Sequence, residues 1–326
     1  MMSDFIKYRL PGKEIIEQSG FFKKTNKYLK SDKSFIVSTY NSKELYIFEE
    51  SNTKDQFYHF SKFQPTQYSY DDYHQIATDF LENIIKLDIK KAVLSRTKNV
   101  DFEISKSNEL FEYLETKYPT AFVYLISSEH FGTWLGCSPE ILLDADKNKC
   151  KTVSLAATKP SESNDEWTIK EKDEQQYVTD FMINQLSNIQ VHNINLDGPY
   201  PFVAGPVKHL KTDITFDINK NTAIEIAKKI NPSPAVSGYP QDLAIELISK
   251  SEKNKRSLYT GFIGVDSDKT TNLFVNLRCC QLFSDKAVLY LGGGYTKDSI
   301  IIDEWNETEH KSKTLISAID LLNDKQ

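Results

Sequence analysis

Apolar residues recur at helical spacing in five segments of the chain, and runs of β-branched and aromatic residues separate these segments. The first helical segment follows Ser69, a residue type that often caps a helix, and is predicted to extend to about Leu87. The same periodicity predicts four later helices, over residues 165–189, 222–230, 242–253 and 304–322. These helices exclude an all-β sandwich.

Strands are predicted where β-branched and aromatic residues cluster between turn residues. The predicted strands cover residues 35–40, 45–48, 91–100, 121–127, 133–135, 140–144, 258–265, 273–283 and 287–291. Several of them are joined by short turns, which favours antiparallel pairing. The sequence therefore predicts an α+β fold with large sheets.

Composition and charge restrict the partners that the protein could bind. The chain has 326 residues, with 40 Lys and Arg against 46 Asp and Glu, which gives a formal net charge of −6. This balance offers no basic surface for nucleic acid. No segment approaches the roughly 20 apolar residues that span a membrane. Residues 1–16 also lack the apolar run of a signal peptide, so a cytoplasmic location is expected.

The cysteines and the missing motifs exclude further classes of protein. No CxxC spacing occurs among the four cysteines, which are Cys137, Cys150, Cys279 and Cys280. We expect buried thiols in a reducing compartment, with a structural zinc site as the alternative interpretation. The sequence contains no P-loop, no HExxH and no GxGxxG after a first strand, so nucleotide binding and zinc proteolysis have no supporting motif.

Two pairs of glutamates, Glu171 with Glu174 and Glu304 with Glu307, are spaced three residues apart on predicted helices. Each pair can present two carboxylates on one helix face. Carboxylates without neighbouring His or Cys suit Mg²⁺. Lys311 follows Glu307 by four residues and would lie on the same face. The alternative interpretation is ordinary surface ion pairing and stabilisation of helix N-termini by negative charge.

Other candidate functional residues lie at the edges of apolar segments. Lys91 begins a predicted strand, and Glu140 begins another, where a charged residue is either at the exposed end or functional. Arg278 lies in an apolar segment and therefore needs an anionic partner. Glycines 292–294 are predicted to form a turn between a strand and the last helix, where backbone amides can approach an anion.

The order of these motifs resembles that of the chorismate-utilising enzymes, most closely the isochorismate synthases. The resemblance covers about residues 70–319. It includes KAVLSR at 91–96, SPEIL at 138–142, SLAAT at 154–158, KEKDEQQYV at 170–178, HLKT at 209–212, NPSPAVSG at 231–238 and EWNET at 304–308. It implies a family fold in which two large sheets pack together with helices outside and the site lies between the sheets.

The resemblance also implies the domain organisation. A single chorismate-binding domain would cover residues 1–326, with a strand-rich N-terminal part over 1–68 and a catalytic core over 69–326. Chorismate would be the substrate and Mg²⁺ the cofactor. No obligate protein partner is expected.

Residue roles follow from the same resemblance. Lys91 would be the general base that deprotonates water for attack at C2 of chorismate, and Glu140 the general acid that protonates the departing C4 hydroxyl. Glu174 and Glu307 would hold Mg²⁺, with Glu171 and Glu304 in support. Substrate binding would involve Thr158, Tyr259, Arg278, Lys311 and the backbone amide of Gly294.

Three positions depart from the family pattern. Ala156 replaces the covalent lysine of the aminodeoxychorismate synthases, Ala157 replaces a usual glycine, and Asn231 replaces a usual histidine. Loss of that imidazole disfavours the salicylate synthases, which also eliminate pyruvate.

The sequence therefore predicts a Mg²⁺-dependent isochorismate synthase, an isomerase acting in menaquinone biosynthesis or, alternatively, in siderophore supply. Anthranilate synthase component I and salicylate synthase remain the enzymatic alternatives. A degenerate, non-catalytic chorismate-binding subunit is the alternative from another class.

Overall fold

The computed structural model describes residues 3–25, 33–51, 56–189, 191–204, 207–218 and 223–324. Within them, the six α-helices are α1 (Tyr70–Lys86), α2 (Ser107–Lys117), α3 (Ile169–Ser187), α4 (Ala223–Ile230), α5 (Gln241–Ser251) and α6 (Ile301–Asn323). The first eight strands are β1 (Asp4–Arg9), β2 (Ile15–Thr25), β3 (Lys33–Ser38), β4 (Leu45–Glu50), β5 (Lys91–Asp101), β6 (Phe122–Ser128), β7 (Gly132–Ser138) and β8 (Ile141–Asp146). The others are β9 (Lys149–Pro160), β10 (Val191–Ala204), β11 (Val207–Ile218), β12 (Gly238–Tyr239), β13 (Phe262–Ser267), β14 (Thr270–Val275), β15 (Cys279–Leu282) and β16 (Lys286–Tyr295).

The five predicted helices are all present. Ser69 caps α1 as predicted, because its side chain accepts a hydrogen bond from the Asp72 amide in a capping box. Helix α3 begins at Ile169, four residues later than predicted. Thr222, the predicted start of α4, lies outside the described residues.

The sixteen described strands belong to one sheet, in the order β10-β11-β9-β8-β14-β13-β3-β4-β2-β1-β6-β7-β15-β16-β5-β12. Neighbouring strands are antiparallel, as the short turns predicted. Strands β1–β4 form the middle of this order, because β1 pairs with β6 and β3 pairs with β13.

The sheet folds on itself, so its two halves pack face to face. The rings of Phe122 in β6 and Phe274 in β14 come from opposite halves and stack with centroids 4.7 Å apart. Helices cover the outer faces: α3 and α4 pack on β8, β9 and β11, while α2 and α6 pack on β6, β7 and β15. Helices α1 and α5 pack on β5. This is the predicted two-layer arrangement with outer helices, except that the layers are halves of one continuous sheet.

Three strand and turn predictions were wrong. Glycines 292–294 lie inside β16 and pair with residues 93–95 of β5, so they form no turn. The strand predicted from residue 258 begins only at Phe262. The strand predicted over 273–283 is divided into β14 and β15, and Arg278 in the segment between them has a φ of 49°, in the left-handed region.

All four cysteines are free, buried thiols, as predicted. In the part of the chain that the structure describes, no helix is both long and apolar enough to cross a membrane.

Candidate active site

Lys91 and Glu174 form an ion pair where β5 begins. Lys91 is only 6% exposed, and its Nζ lies 2.5 Å from Glu174 Oε1 on α3. The backbone amide of Ala157 in β9 also donates a hydrogen bond to Glu174. Burial alone would raise the pKa of Glu174, but the Lys91 charge and these hydrogen bonds lower it below its usual value. Glu174 is therefore a carboxylate held in place by two elements.

The start of α3 is fixed by a capping box that uses Glu171. Thr168 caps the helix, and Glu171 Oε2 accepts a hydrogen bond from the Thr168 amide at 2.7 Å. Lys159 Nζ lies 3.1 Å from the same oxygen. Glu171 therefore stabilises the start of α3. Its hydrogen bond and its ion pair are made with Thr168 and Lys159, and not with Lys91 or Glu174.

The first turns of α6 carry the second glutamate pair. Glu307 forms an ion pair with Lys311, which confirms that they share a face, and Lys311 Nζ donates to the Gly292 carbonyl at 2.9 Å. Glu304 Oε1 accepts from Ser299 Oγ at 2.8 Å, while its Oε2 is buried without a partner among the described residues. Burial and the nearby Glu307 charge raise the pKa of Glu304 to about 7. Ser299 therefore satisfies only one of the two carboxylate oxygens of Glu304.

Glu140 and Arg278 approach the same region from the loops after β7 and β14. Burial raises the pKa of Glu140 to about 7, although the positive charges of Arg278, Lys91 and Lys311 act in the opposite direction. The Arg278 guanidinium forms no hydrogen bond or ion pair with a described side chain, and burial lowers its pKa. The Arg278 guanidinium therefore still requires an anionic partner, as its position in an apolar segment predicted.

The three glycines of β16 leave room for side chains of the site. A methyl group at Gly292 would lie 2.8 Å from the Tyr259 hydroxyl, and one at Gly294 would lie 3.0 Å from Lys91 Cε. At Gly293 it would lie 3.2 Å from Glu304 Oε2. The glycines are therefore required for close approach of functional groups rather than for a turn.

A bulge in β9 positions Thr158 beside a histidine that we did not assign to the site from sequence. Ala157 is the extra residue of the bulge, with a φ of 56°. Thr158 is exposed, and its Oγ1 lies 3.1 Å from His209 Nδ1 in β11. Burial lowers the pKa of His209, and the charges of Arg278 and Lys311 lower it further. His209 therefore faces the candidate site, and the HLKT motif was the only signal for it.

Asn231 and Tyr259 differ in their relation to the site. Tyr259 is buried beside Gly292, where burial raises the pKa of its hydroxyl. Asn231 instead packs on the loop after β3, with its amide nitrogen 3.3 Å from the Tyr40 carbonyl and 3.4 Å from Ser42 Oγ. None of the hydrogen bonds found for Asn231 leads to the candidate catalytic residues.

Glu174, Glu304 and Glu307 offer oxygen ligands to a cation. The charge of Glu174 acts on Glu307, and that of Glu307 acts on Glu304, so the three carboxylates are electrostatic neighbours. Among the described residues, no three His, Cys, Asp or Glu side chains are already grouped as a metal centre. The buried, unpartnered Glu304 Oε2 is nevertheless an atom that a hard cation would satisfy. The donor set therefore fits Mg²⁺.

Comparison with known proteins identifies a family. The sequence matches the model described as chorismate binding enzyme over residues 13–320. The isochorismate synthase EntC of Escherichia coli (strain K12) is 27% identical over 246 residues, which are 72% of this chain and 63% of EntC. The chain therefore spans less than two thirds of that curated relative.

Two solved structures share the fold. One, named as a 2,3-dihydroxybenzoate-specific isochorismate synthase, DhbC, from Bacillus anthracis, has a TM-score of 0.80 at 22% identity and covers 98% of this chain and 96% of its own. MenF, the menaquinone-specific isochorismate synthase from Escherichia coli, has a TM-score of 0.79 at 16% identity and covers 97% and 88%. These likenesses confirm the predicted fold class.

Proposed function

The chain belongs to the chorismate-binding enzymes, and from this premise we propose that it is an isochorismate synthase, an isomerase that converts chorismate, with its ring hydroxyl at C4, to isochorismate, with a ring hydroxyl at C2. Glu140 carries the proposal. Its pKa of about 7 keeps a large fraction of the carboxyl protonated at neutral pH, as a general acid requires. It lies within electrostatic reach of the candidate base, Lys91.

The proposed reaction needs two proton transfers. Water adds at C2, the C4 hydroxyl departs, and the ring double bonds shift between them. Lys91 would accept a proton from the attacking water, and Glu140 would donate one to the departing oxygen. One water molecule enters and one leaves, so the net reaction is an isomerisation. Each positioned group of this kind contributes about 10² to 10⁴ in rate.

The substrate carboxylates are proposed to bind the cations around Glu140. Arg278 has no described anionic partner within ion-pair distance, so a carboxylate would complete its hydrogen bonding. Lys311 would contribute a second positive charge. Tyr259, Thr158 and the Gly294 amide would be neutral hydrogen-bond donors.

We further propose Mg²⁺ as the cofactor, held by Glu174 and Glu307 with Glu304 in support. Glu171 would act only through water, because it caps α3. When bound, the cation would offset the charge of a substrate carboxylate. The support for this assignment is the partnerless, buried Glu304 Oε2.

We propose that the product is used in menaquinone biosynthesis, with siderophore biosynthesis as the alternative pathway. The two similar structures carry names specific for menaquinone and for 2,3-dihydroxybenzoate, so the fold is compatible with either destination. Restored menaquinone in a bacterium that lacks its own isochorismate synthase would support the first.

The direct test is incubation of the purified chain with chorismate and Mg²⁺, followed by chromatography and mass spectrometry. We expect a product with the mass of chorismate but a different retention time, and no product after chelation of Mg²⁺. Anthranilate formed only when ammonium is added would favour anthranilate synthase component I, and salicylate with pyruvate would favour salicylate synthase. Absence of any product would favour the degenerate subunit.

A further inference from the structure

Two tyrosines stack where α3 meets the strand that pairs with β5. The rings of Tyr177 in α3 and Tyr239 in β12 are parallel within 8°, with centroids 5.1 Å apart. Both side chains are partly buried. No hydrogen bond joins either hydroxyl to a described residue, so the contact between these residues is made by the rings.

The stack and the Lys91–Glu174 ion pair join α3 to the paired strands β5 and β12 at two neighbouring points. Tyr239 lies opposite Lys91 in the β5–β12 ladder, and the Lys90 amide donates to the Tyr239 carbonyl at 2.8 Å. Tyr177 follows Glu174 by three residues and therefore shares its helix face. Glu174 reaches back to Lys91 at 2.5 Å. Together these two links limit the movement of this part of α3 relative to β5 and β12.

The turn of α3 that carries Glu174 is fixed from two sides. Gln175 Nε2 donates to the Ser154 carbonyl in β9 and lies 3.2 Å from Thr212 Oγ1 in β11. The tyrosine stack fixes the same turn toward β12. The apolar packing of α3 lies mostly further along the helix, at Phe181, Met182 and Leu186. The stack is therefore placed to control the lateral position of Glu174.

We propose that Tyr177 and Tyr239 are positioning residues that hold Glu174 against Lys91. This inference rests on the proposed function, because Lys91 and Glu174 are the proposed base and a proposed cation ligand. Displacement of a reacting group by about 1 Å can lower a rate by about 10². The rings, and not the hydroxyls, carry this role.

The first test compares ring loss with hydroxyl loss. Tyr177→Phe and Tyr239→Phe should keep kcat within twofold of the parent, whereas Tyr177→Ala and Tyr239→Ala should lower it at least tenfold. The KM for chorismate should change less than threefold, because the substrate-binding groups are untouched. Tyr113→Ala is the matched control, since Tyr113 is a partly buried helix tyrosine away from the site. It should lower the Tm and leave kcat unchanged. An unchanged kcat in both alanine variants of the stack, or an equal loss in Tyr113→Ala, would overturn the inference.

The second test needs no activity. Urea unfolding of the parent, Tyr177→Ala, Glu174→Gln and the double variant forms a double-mutant cycle. The shift in urea midpoint caused by Glu174→Gln should be at least halved when Tyr177 is already alanine, because the ion pair is then no longer held. Equal shifts in the two backgrounds would refute the positioning role. A coupled cycle in a chain that makes no isochorismate would instead overturn the proposed function and leave the positioning role intact.

Discussion

Glu140→Gln removes a proton donor while it keeps the shape of the side chain. Burial raises the pKa of Glu140 from 4.5 to about 7. A change of that size corresponds to about 3 kcal/mol between the protonated and ionised forms. Because the side chain is only partly buried, solvent screening reduces the expected effect to about 1–3 kcal/mol.

The sign of the pH effect follows from proton binding. With a raised pKa, the folded chain binds the Glu140 proton more tightly than the unfolded chain does. This contribution to the free energy of unfolding is fully present below about pH 4.5 and is lost as the pH rises through about 7. The amide of Glu140→Gln cannot ionise. The variant should therefore gain about 1–3 kcal/mol in stability over the parent between pH 5 and pH 8.

Urea unfolding of both proteins at pH 5 and pH 8 measures this gain, with Glu82→Gln as a control at an exposed position of α1. Turnover of chorismate by Glu140→Gln should fall by about 10² to 10⁴. A stability difference that is the same at both pH values would refute the raised pKa. Turnover near that of the parent would remove Glu140 from the proposed mechanism.

Three other substitutions test the remaining parts of the site. Gly294→Ala places a methyl group 3.0 Å from Lys91 Cε and should lower kcat by about 10–100-fold in steady-state kinetics; an unchanged kcat would contradict the steric role of the glycine. Ala157→Gly relieves a φ of 56° and should raise the free energy of unfolding by about 1 kcal/mol, whereas a loss of stability would show that the bulge is not strained. Glu174→Gln leaves the buried Lys91 ammonium without its charged acceptor and should cost about 1–3 kcal/mol in urea unfolding. The same variant should raise the Mg²⁺ concentration for half-maximal rate, and an unchanged Mg²⁺ dependence would remove Glu174 as a ligand.

Local patterns predicted the elements that carry the site. The Ser69 cap, the start of β5 at Lys91 and the shared face of Glu307 and Lys311 all depend on residues close together in sequence. Interactions between distant segments could not be predicted in this way. Lys91 and Glu174 are 83 residues apart, and only the folded sheet and α3 bring them together.

The wrong and missing predictions have physical causes. Three successive glycines usually indicate a turn, but in β16 the absence of side chains serves close packing against Tyr259, Glu304 and Lys91. Strand β10 was missed because many of its side chains are exposed and polar, so its apolar alternation is weak. Strand β11 was missed although Leu210, Ile214 and Phe216 are buried and alternate with polar residues, so its period of two was present in the sequence.

The central position of β1–β4 in the sheet has a consequence for synthesis of the chain. Strand β1 pairs with residues 123–127, and β3 pairs with residues 263–267, which leave the ribosome much later. Until then the outer edges of both strands have no sheet partner, and exposed edges are where β-proteins aggregate. Pairings between residues so distant in sequence also slow folding. Strand β3 is therefore made long before its second neighbour, β13, so a nascent chain stalled before residue 263 should depend on chaperones to remain soluble.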